Sequence, residues 1–281
     1  MSILSFFARR YIAGETRKDA IFTAKRLNSQ GISATIDNLG ENVKDASETD
    51  ETVKEYLSLL DDIDEAGVNS TISLKLTHLG LDISGELARK NAEAIIKKAL
   101  SLKNFVRFDM EGSAYTPDTI DTVLKLNRLY PNIGVAIQSY LLRSEKDANL
   151  LINEGISVRL VKGAYREPPE IAFEKKSDVD RNYESLMKKL LLGGTRPAIA
   201  THDEKLINEA MRFANEKNIP KDRFEFQMLL GIKRTLQRKL AHDGYAVRVY
   251  VPYGKNWLPY TMRRLGERKE NLLFVVKNIF D

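Results

Sequence analysis

The chain has 281 residues, of which 43% are hydrophobic and 30% charged, so neither wholesale disorder nor a collagen-like repeat fits its composition. It contains no Cys and only three His, which excludes disulfides, iron–sulfur clusters and thiol nucleophiles, and no metal site is expected. Lys and Arg exceed Asp and Glu by 44 to 39, a net charge of +5 that fits an anionic ligand or an anionic membrane surface equally well. Because basic and acidic residues are mixed along the chain, no nucleic-acid partner is expected.

The N-terminal part of the chain is helical in pattern and comes before the first predicted strand. We predict a helical arm over residues 1–33 and one large domain over 34–281. No apolar run approaches the roughly 18 residues of a membrane span. The apolar start at 3–7 precedes Arg9 and Arg10 and has no small-residue cleavage site, so we expect no secretory signal and a cytoplasmic protein. This start either packs on the domain or touches the inner face of the cytoplasmic membrane.

Eight short runs rich in β-branched and aromatic residues alternate with helical patterns. The runs cover residues 34–39, 71–76, 105–110, 133–139, 156–161, 197–201, 223–228 and 246–251. Eight strand–helix units over roughly 250 residues are typical of a (β/α)8 TIM-like barrel. The alternative is a doubly wound parallel sheet.

The last helical pattern, over 257–268, has two different faces. Leu258, Met262 and Leu265 form an apolar stripe, and another face carries an arginine pair, Arg263 and Arg264. Paired guanidinium groups suit bidentate recognition of a carboxylate. The alternative is a solvated face with a weak surface ion pair.

Each predicted strand has one aliphatic face and one face with polar residues, which would point into a barrel. The charged members of the inward set are Asp37, Lys75, Arg107, Asp109, Arg159, Glu225 and Arg248. Because unpaired charge is costly inside a barrel, we predict a deep, net-positive pocket for an anionic ligand. For Arg107, Glu225 and Arg248, which come early in their strands, the alternative is a self-satisfied network at the bottom of the barrel.

Residues that follow the predicted strands carry further chemistry, since barrel enzymes act at the strand C-termini. After the fifth strand, Lys162 and Tyr165 flank two small residues, a set that could cradle a phosphate or the edge of a planar ring. After the sixth, Thr201, His202 and Asp203 stand at a helix start, which could bind an anion or simply be capped. A barrel enzyme acting on a phosphorylated anion is therefore one interpretation.

Taken together, these strand-end motifs resemble the proline dehydrogenase family, in its monofunctional bacterial form. They are SLKLT, FDMEGS, RLVKGAY, ATHD, FQML and YVPYG, followed by RRLGER, in family order between residues 34 and 268. The resemblance implies a flavoprotein that holds FAD in the barrel and catalyses the first step of proline catabolism. In that step, L-proline becomes Δ1-pyrroline-5-carboxylate as hydride passes from ring C5 to flavin N5. The resemblance also implies a membrane quinone as electron acceptor and transient association with the membrane surface.

The same resemblance assigns roles to individual residues. Asp109 and Arg159 would be the catalytic pair, with Arg159 near the flavin. The substrate-binding set would be Lys75, Tyr165, Leu229, Tyr250, Arg263 and Arg264. The cofactor-binding set would be Met110, Gln138, Arg159, Lys162, Gly163, Ala164, Thr201 and His202.

Two features of the sequence bear on the substrate and on the fit to the family. Tyr250 stands where hydroxyproline-preferring relatives tend to carry a smaller residue, which favours proline. The alternative keeps the fold and the flavin but takes hydroxyproline or another cyclic amino acid. Leu230 and Asp203 depart from residues that are frequent in the family, at positions not expected to touch the reacting atoms.

Overall fold

A computed structural model of the protein describes residues 10–266, without the side chains of 263–266. Eight parallel strands pair in chain order, and β8 pairs with β1 to close a barrel. They are β1 Ser33–Asn38, β2 Ser70–Leu74, β3 Val106–Phe108, β4 Ile133–Gln138, β5 Ser157–Val161, β6 Ala198–Ala200, β7 Glu225–Leu229 and β8 Ala246–Tyr253. Each lies within two residues of a predicted run at both ends, so the TIM-like barrel is confirmed and the doubly wound sheet is excluded.

The helices follow the strands as the alternating pattern predicts. Within residues 10–266 they are α1 Arg17–Asn28, α2 Ala46–Glu65, α3 Gly85–Ser101, α4 Thr116–Asn127, α5 Ser144–Asn153, α6 Lys176–Gly193, α7 Glu204–Glu216, α8 Arg234–His242 and α9 Trp257–Gly266. Short polar side chains stop several of them from fraying. Ser84 accepts from the Leu87 amide at the start of α3, and Asp203 accepts from the Lys205 amide at the start of α7.

The main hydrophobic core lies between the outward faces of the strands and the surrounding helices. Ile72 and Leu74 of β2, and Val158 and Leu160 of β5, are buried there, as the alternation of aliphatic and polar residues predicts. The opposite faces of the same strands therefore carry their polar side chains into the barrel. This division places the candidate site inside the barrel.

The first and last of the described helices, α1 and α9, occupy unusual places around the barrel. Helix α1 packs across β8 and β1 through the buried Ala20 and Ala24, where a regular barrel has the helix that follows its last strand. Helix α9, which does follow β8, instead brings Tyr260 to a cavity at the C-terminal ends of the strands. The apolar start at 3–7 lies outside the described residues. No helix between residues 10 and 266 combines the length and the apolar character needed to cross a membrane.

Candidate active site

A cavity of about 600 Å³ opens at the C-terminal end of the barrel, which we call the mouth. All of the predicted site residues whose side chains are described line it. They are Lys75, Asp109, Met110, Gln138, Arg159, Lys162, Gly163, Ala164, Tyr165, Thr201, His202, Leu229 and Tyr250. The side chains of Arg263 and Arg264 lie outside the described part of the structure. A larger hollow of about 1250 Å³ opens between α1 and α2, but it contains none of the predicted residues.

Arg159 is held in the mouth by three different partners. Its Nη1 donates to Asp109 Oδ1 at 2.5 Å, its Nε to Gln227 Oε1 at 2.6 Å and its Nη2 to Ser73 Oγ at 2.9 Å. Only 6% of the side chain is exposed, so each of these bonds forms largely away from water. The guanidinium plane is therefore fixed in position and orientation. Ser73 and Gln227 were not among the predicted residues, although the alternation in β2 and β7 also turns them inward.

Tyr250 closes the other side of the Asp109 carboxylate. Its hydroxyl donates to Asp109 Oδ2 at 2.7 Å, and its ring lies 5.5 Å from Arg159 Cζ. Burial, together with the neighbouring charge of Asp109, raises the pKa of Tyr250 well above its usual value. The phenol therefore stays protonated and remains a donor to the carboxylate.

Lys75 forms a second buried charge pair beside the first. Its Nζ donates to the two oxygens of Asp37 at 3.1 and 3.0 Å and lies 3.8 Å from Asp109 Oδ2. Burial alone would lower the pKa of Lys75, but the charges of Asp37 and Asp109 outweigh it and raise that pKa. Burial raises the pKa of Asp37 to about 6, against the opposing charge of Lys75. Lys75 is thus a fixed ammonium group at neutral pH, next to a carboxylate.

Lys162 also meets carboxylates at the far side of the cavity. Its Nζ donates to Asp180 Oδ1 at 2.6 Å and to Asp203 Oδ2 at 3.0 Å, and Lys176 pairs with the same Asp180. No pattern in the sequence pointed to Asp180, because it lies inside α6 and not at a strand end.

The described cations of the mouth are therefore balanced by acids. Lys75, Arg159, Lys162 and Lys176 pair with Asp37, Asp109, Asp180 and Asp203. The cavity wall itself carries these four cations but only two of the carboxylates, Asp109 and Asp203, so its described charge is net positive, as predicted. Asp37 and Asp180 lie behind the wall and complete the pairs, because buried charge is stable only when it is paired.

Arg107, Glu225 and Arg248 lie deeper and do not line the cavity. The alternative of a self-satisfied network holds for Glu225 and Arg248, whereas the buried Nε of Arg107 has no hydrogen-bond partner among the described residues. Arg248 Nε lies 3.0 Å from Glu225 Oε1, and Arg107 Nη1 donates to the carbonyl oxygen of Ser157 at 2.6 Å. Burial, with the like charge of Arg159, lowers the pKa of Arg107 to about 9, which leaves it protonated at neutral pH. We call this cluster the floor.

The rest of the cavity suits a planar, partly apolar ligand. Met110, Ala136, Val161 and Met228 supply apolar surface between the polar groups. Gly163 has a φ of +126°, and a Cβ there would come within 2.1 Å of the Tyr140 ring, so only glycine lets this loop pass so close. The close passage brings Ala164 and Tyr165 to the cavity wall.

His202 has one ring nitrogen committed within the protein. Its Nε2 accepts from the backbone amide of Leu229 at 2.9 Å, which assigns the proton of the neutral ring to Nδ1. Between residues 10 and 262, no cluster of three or more His, Asp or Glu has the arrangement of a metal site.

The sequence is similar to a family profile and to individual proteins over nearly its whole length. A profile of the family described as "Proline dehydrogenase" matches residues 20–277. "Proline dehydrogenase 2" of Bacillus subtilis strain 168 is 42% identical over 272 residues, which span 97% of this chain and 90% of that protein. "Proline dehydrogenase" of Deinococcus radiodurans is 39% identical over 277 residues, spanning 97% and 89%.

Solved structures resemble the barrel as a whole. Proline utilization A (PutA) from Bdellovibrio bacteriovorus, described as inactivated by N-propargylglycine, superposes with a TM-score of 0.87 at 25% identity. The match covers 93% of this chain and 32% of that longer one. The family profile, the two relatives and the shared barrel agree with the strand-end motifs, and the chain belongs to the proline dehydrogenase family.

Proposed function

We propose that this protein is an FAD-dependent dehydrogenase that oxidises L-proline to Δ1-pyrroline-5-carboxylate. The observation that carries the proposal is the spacing of opposite charges in the mouth, where Lys75 Nζ lies 3.8 Å from Asp109 Oδ2. Proline carries its carboxylate and its ring nitrogen on the same carbon atom. A fixed cation beside a fixed carboxylate can therefore meet both groups at once.

FAD fits the remainder of the cavity by the chemistry of the residues there. The apolar patch of Met110 and Val161 suits a planar ring, and the residues from Lys162 to Ala164 suit a ligand edge. Gln138, Arg159, Thr201 and His202 add polar contacts to the same wall. When bound, FAD would accept the hydride that leaves ring C5.

The protein's own part in the reaction is to orient proline and to favour loss of the proton on its ring nitrogen. Lys75, with Arg263 and Arg264, would bind the carboxylate, and Tyr165, Leu229 and Tyr250 would bound the ring. The ring nitrogen first loses its ammonium proton; the C5–H bond then breaks with its electron pair as hydride, and the nitrogen lone pair forms the C5=N bond. Because hydride leaves most readily from carbon beside a neutral amine, the cations of the mouth favour the reactive form. His202 Nε2 is already an acceptor for Leu229, so we assign the proton to solvent.

The rival substrate, a phosphorylated anion, finds less support in the same cavity. Its phosphate would need Lys162 and the amides at the start of α7. Lys162 already contacts Asp180 and Asp203, and the Asp203 side chain accepts from the Lys205 amide at that helix start. A dianion placed there would meet two carboxylates.

Membership of the family also supports a quinone as the acceptor that reoxidises the flavin. The net charge of +5 favours transient docking of the enzyme on an anionic membrane surface. Steady-state assays with a soluble quinone, against oxygen as the only acceptor, test this part separately. Turnover that is no faster with quinone than with oxygen would contradict it.

The first experiment is an anaerobic absorbance spectrum of the purified protein before and after addition of L-proline. Flavin bands that bleach with proline, with pyrroline-5-carboxylate as product, are the expected result. Bands that persist with proline but bleach with hydroxyproline or another cyclic amino acid would replace the substrate and keep the cofactor. A colourless protein that takes up no added FAD would overturn the proposal.

A further inference from the structure

Residues 10–14, which we call the strap, run along one side of the rim of the mouth, past the ends of β7, β8 and β1, and lead into α1. Two backbone hydrogen bonds fix the strap to the end of β8: Ala13 N donates to the Pro252 carbonyl at 2.8 Å, and Gly254 N donates to the Gly14 carbonyl at 3.0 Å. These bonds lie just before α9, which begins at Trp257. The strap therefore lies against the segment that leads into α9.

A small hydrophobic cluster joins the strap to α9. Ile12 of the strap and Leu39, which follows β1, are 5% and 6% exposed, and Trp257 and Tyr260 of α9 pack against them. This cluster is separate from the main core of the barrel. Other apolar side chains of α9 face solvent, since Leu258 is 47% exposed and Met262 43%. Within the described residues, the apolar packing of α9 thus depends on the strap.

The strap also contacts the loop that follows β7. Gly231 has a φ of +80°, and a Cβ there would come within 1.9 Å of the Arg10 carbonyl oxygen. Tyr11, between these contacts, is only 1% exposed. The strap is thus fixed to the ends of β1, β7 and β8, of which β7 and β8 supply residues that line the cavity.

We propose that the strap holds α9 over the mouth and that Ile12 is a positioning residue for substrate binding. Tyr260 lines the cavity from α9, and Ile12 packs beneath that residue without lining the cavity itself. Loosening the Ile12 cluster lets α9 leave its closed position, which lowers the fraction of enzyme competent to bind substrate. An apparent affinity falls in proportion to that fraction, whereas the chemistry of the bound state is unchanged. Only the kinetic part of this proposal depends on proline being the substrate.

The test compares Ile12→Ala with Ile21→Ala in the full-length, flavin-loaded enzyme. Ile21 is the matched control, because it lies partly buried on α1 and packs against the main core, not in the cluster of Ile12, Leu39, Trp257 and Tyr260. In Ile12→Ala we expect the KM for proline to rise about tenfold with kcat within about twofold, the pattern of a reduced competent fraction. Ile21→Ala should leave both constants near those of the unaltered protein. An equal rise in KM in the two variants, or a loss confined to kcat, would overturn the proposal.

A second readout does not involve activity. Trp257 is the only tryptophan of the chain and sits in the cluster, so its fluorescence reports directly on the packing of α9. With matched flavin content, Ile12→Ala should shift the emission to longer wavelength and increase quenching by acrylamide, and Ile21→Ala should do neither. Unchanged emission and quenching in Ile12→Ala would overturn the proposal that the strap holds α9, whatever substrate the enzyme turns out to use.

Two further variants guard against misfolding. Leu39→Ala opens the same cluster from the barrel side, and Ile12→Val removes a single methylene. Leu39→Ala should reproduce both the KM rise and the quenching change, and Ile12→Val should give an intermediate value of each. A Leu39→Ala enzyme with a raised KM but unaltered Trp257 quenching would show that the cluster does not act through α9.

Discussion

The floor and the mouth of this barrel are built from alternate residues of the same strands, but only the charged groups of the mouth surround a cavity. On β8, Arg248 belongs to the floor and Tyr250 to the mouth; on β7, Glu225 belongs to the floor and Gln227 to the mouth. The floor groups meet one another and the backbone. The mouth groups meet one another too, but around a cavity of about 600 Å³. On β7 and β8, a shift of two residues along the strand therefore leads from the structural ion pair of Glu225 and Arg248 to side chains that contact the candidate catalytic pair, Asp109 and Arg159.

Gln227 joins the two layers. Its Oε1 accepts from Arg159 Nε, and its Nε2 donates to Glu225 Oε1. The floor thereby supports the mouth, because the ion pair below holds the amide that orients the guanidinium above. Because Arg248 contacts Glu225 and not Gln227, a change of Arg248 should act mainly on stability, and a change of Arg159 mainly on activity.

The largest effect is expected when Arg159 in the mouth is changed to Met. This change removes one partner of Asp109, together with a cation that we propose favours the reactive form of proline. We expect kcat/KM for proline to fall by about 10³-fold, equivalent to about 4 kcal/mol. Arg248→Met, the same change on the floor, should stay within about threefold of the unaltered enzyme per folded molecule. Equal losses in the two variants would abolish the distinction between the layers.

The next effect is on stability and belongs to the floor. Arg248→Met leaves Glu225 buried without its guanidinium partner, which should lower the free energy of unfolding by about 3 kcal/mol. Equilibrium denaturation in urea measures this loss. The double variant Glu225→Gln with Arg248→Met removes the orphaned charge and should recover at least half of it. A double variant as unstable as Arg248→Met would mean that lost packing, and not unpaired charge, accounts for the cost.

The sequence was sufficient for the barrel, and for most of the mouth, for a local reason. Alternation with a period of two determines which side chains of a strand point inwards. The place where a strand ends can likewise be predicted from its own sequence, without knowing which strand it pairs with. Asp109, Arg159 and Tyr250 could thus be assigned to one cavity from the strand pattern and the strand-end motifs alone. The family resemblance added roles that spacing left open.

What the sequence could not supply were partners from distant elements and the orientation of the last helix. Asp180, which pairs with Lys162, comes from the middle of α6, and no local pattern joins the two residues. Leu258 and Met262 belong to the apolar stripe of α9, yet they are 47% and 43% exposed. Trp257 and Tyr260 pack inward in their place, because α9 lies over the mouth and not beside β8.

A third effect concerns His78, near the mouth, which is buried but forms no ion pair with a described residue. Burial, with the nearby charge of Lys75, lowers the pKa of His78 to about 4 from a usual value near 6.5. The unfolded chain therefore binds the proton more tightly, and folding stability falls as pH drops from about 6.5 to about 4. Between pH 7 and pH 5 the loss due to His78 should be about 2 kcal/mol.

Urea denaturation at pH 7 and pH 5 measures this loss in the unaltered protein and in His78→Asn. The variant should lose less stability on acidification by that amount. His242, whose side chain is 90% exposed, supplies the control, since His242→Asn should leave the pH dependence as it was. An unchanged pH dependence in His78→Asn would mean that the folded protein binds a proton at His78 as tightly as the unfolded chain does.

The smallest effect tests how far the mouth depends on a single hydroxyl. Tyr250→Phe keeps the ring at the cavity wall and near Arg159 but removes the donor to Asp109 Oδ2. Since the Arg159 bond to the other carboxylate oxygen remains, we expect a loss of about 1 kcal/mol, or roughly fivefold in kcat/KM. Tyr253→Phe is the matched control, because its hydroxyl bonds to Glu55 outside the cavity. A Tyr250→Phe loss as large as that of Arg159→Met would mean that Asp109 depends on the phenol as much as on the guanidinium.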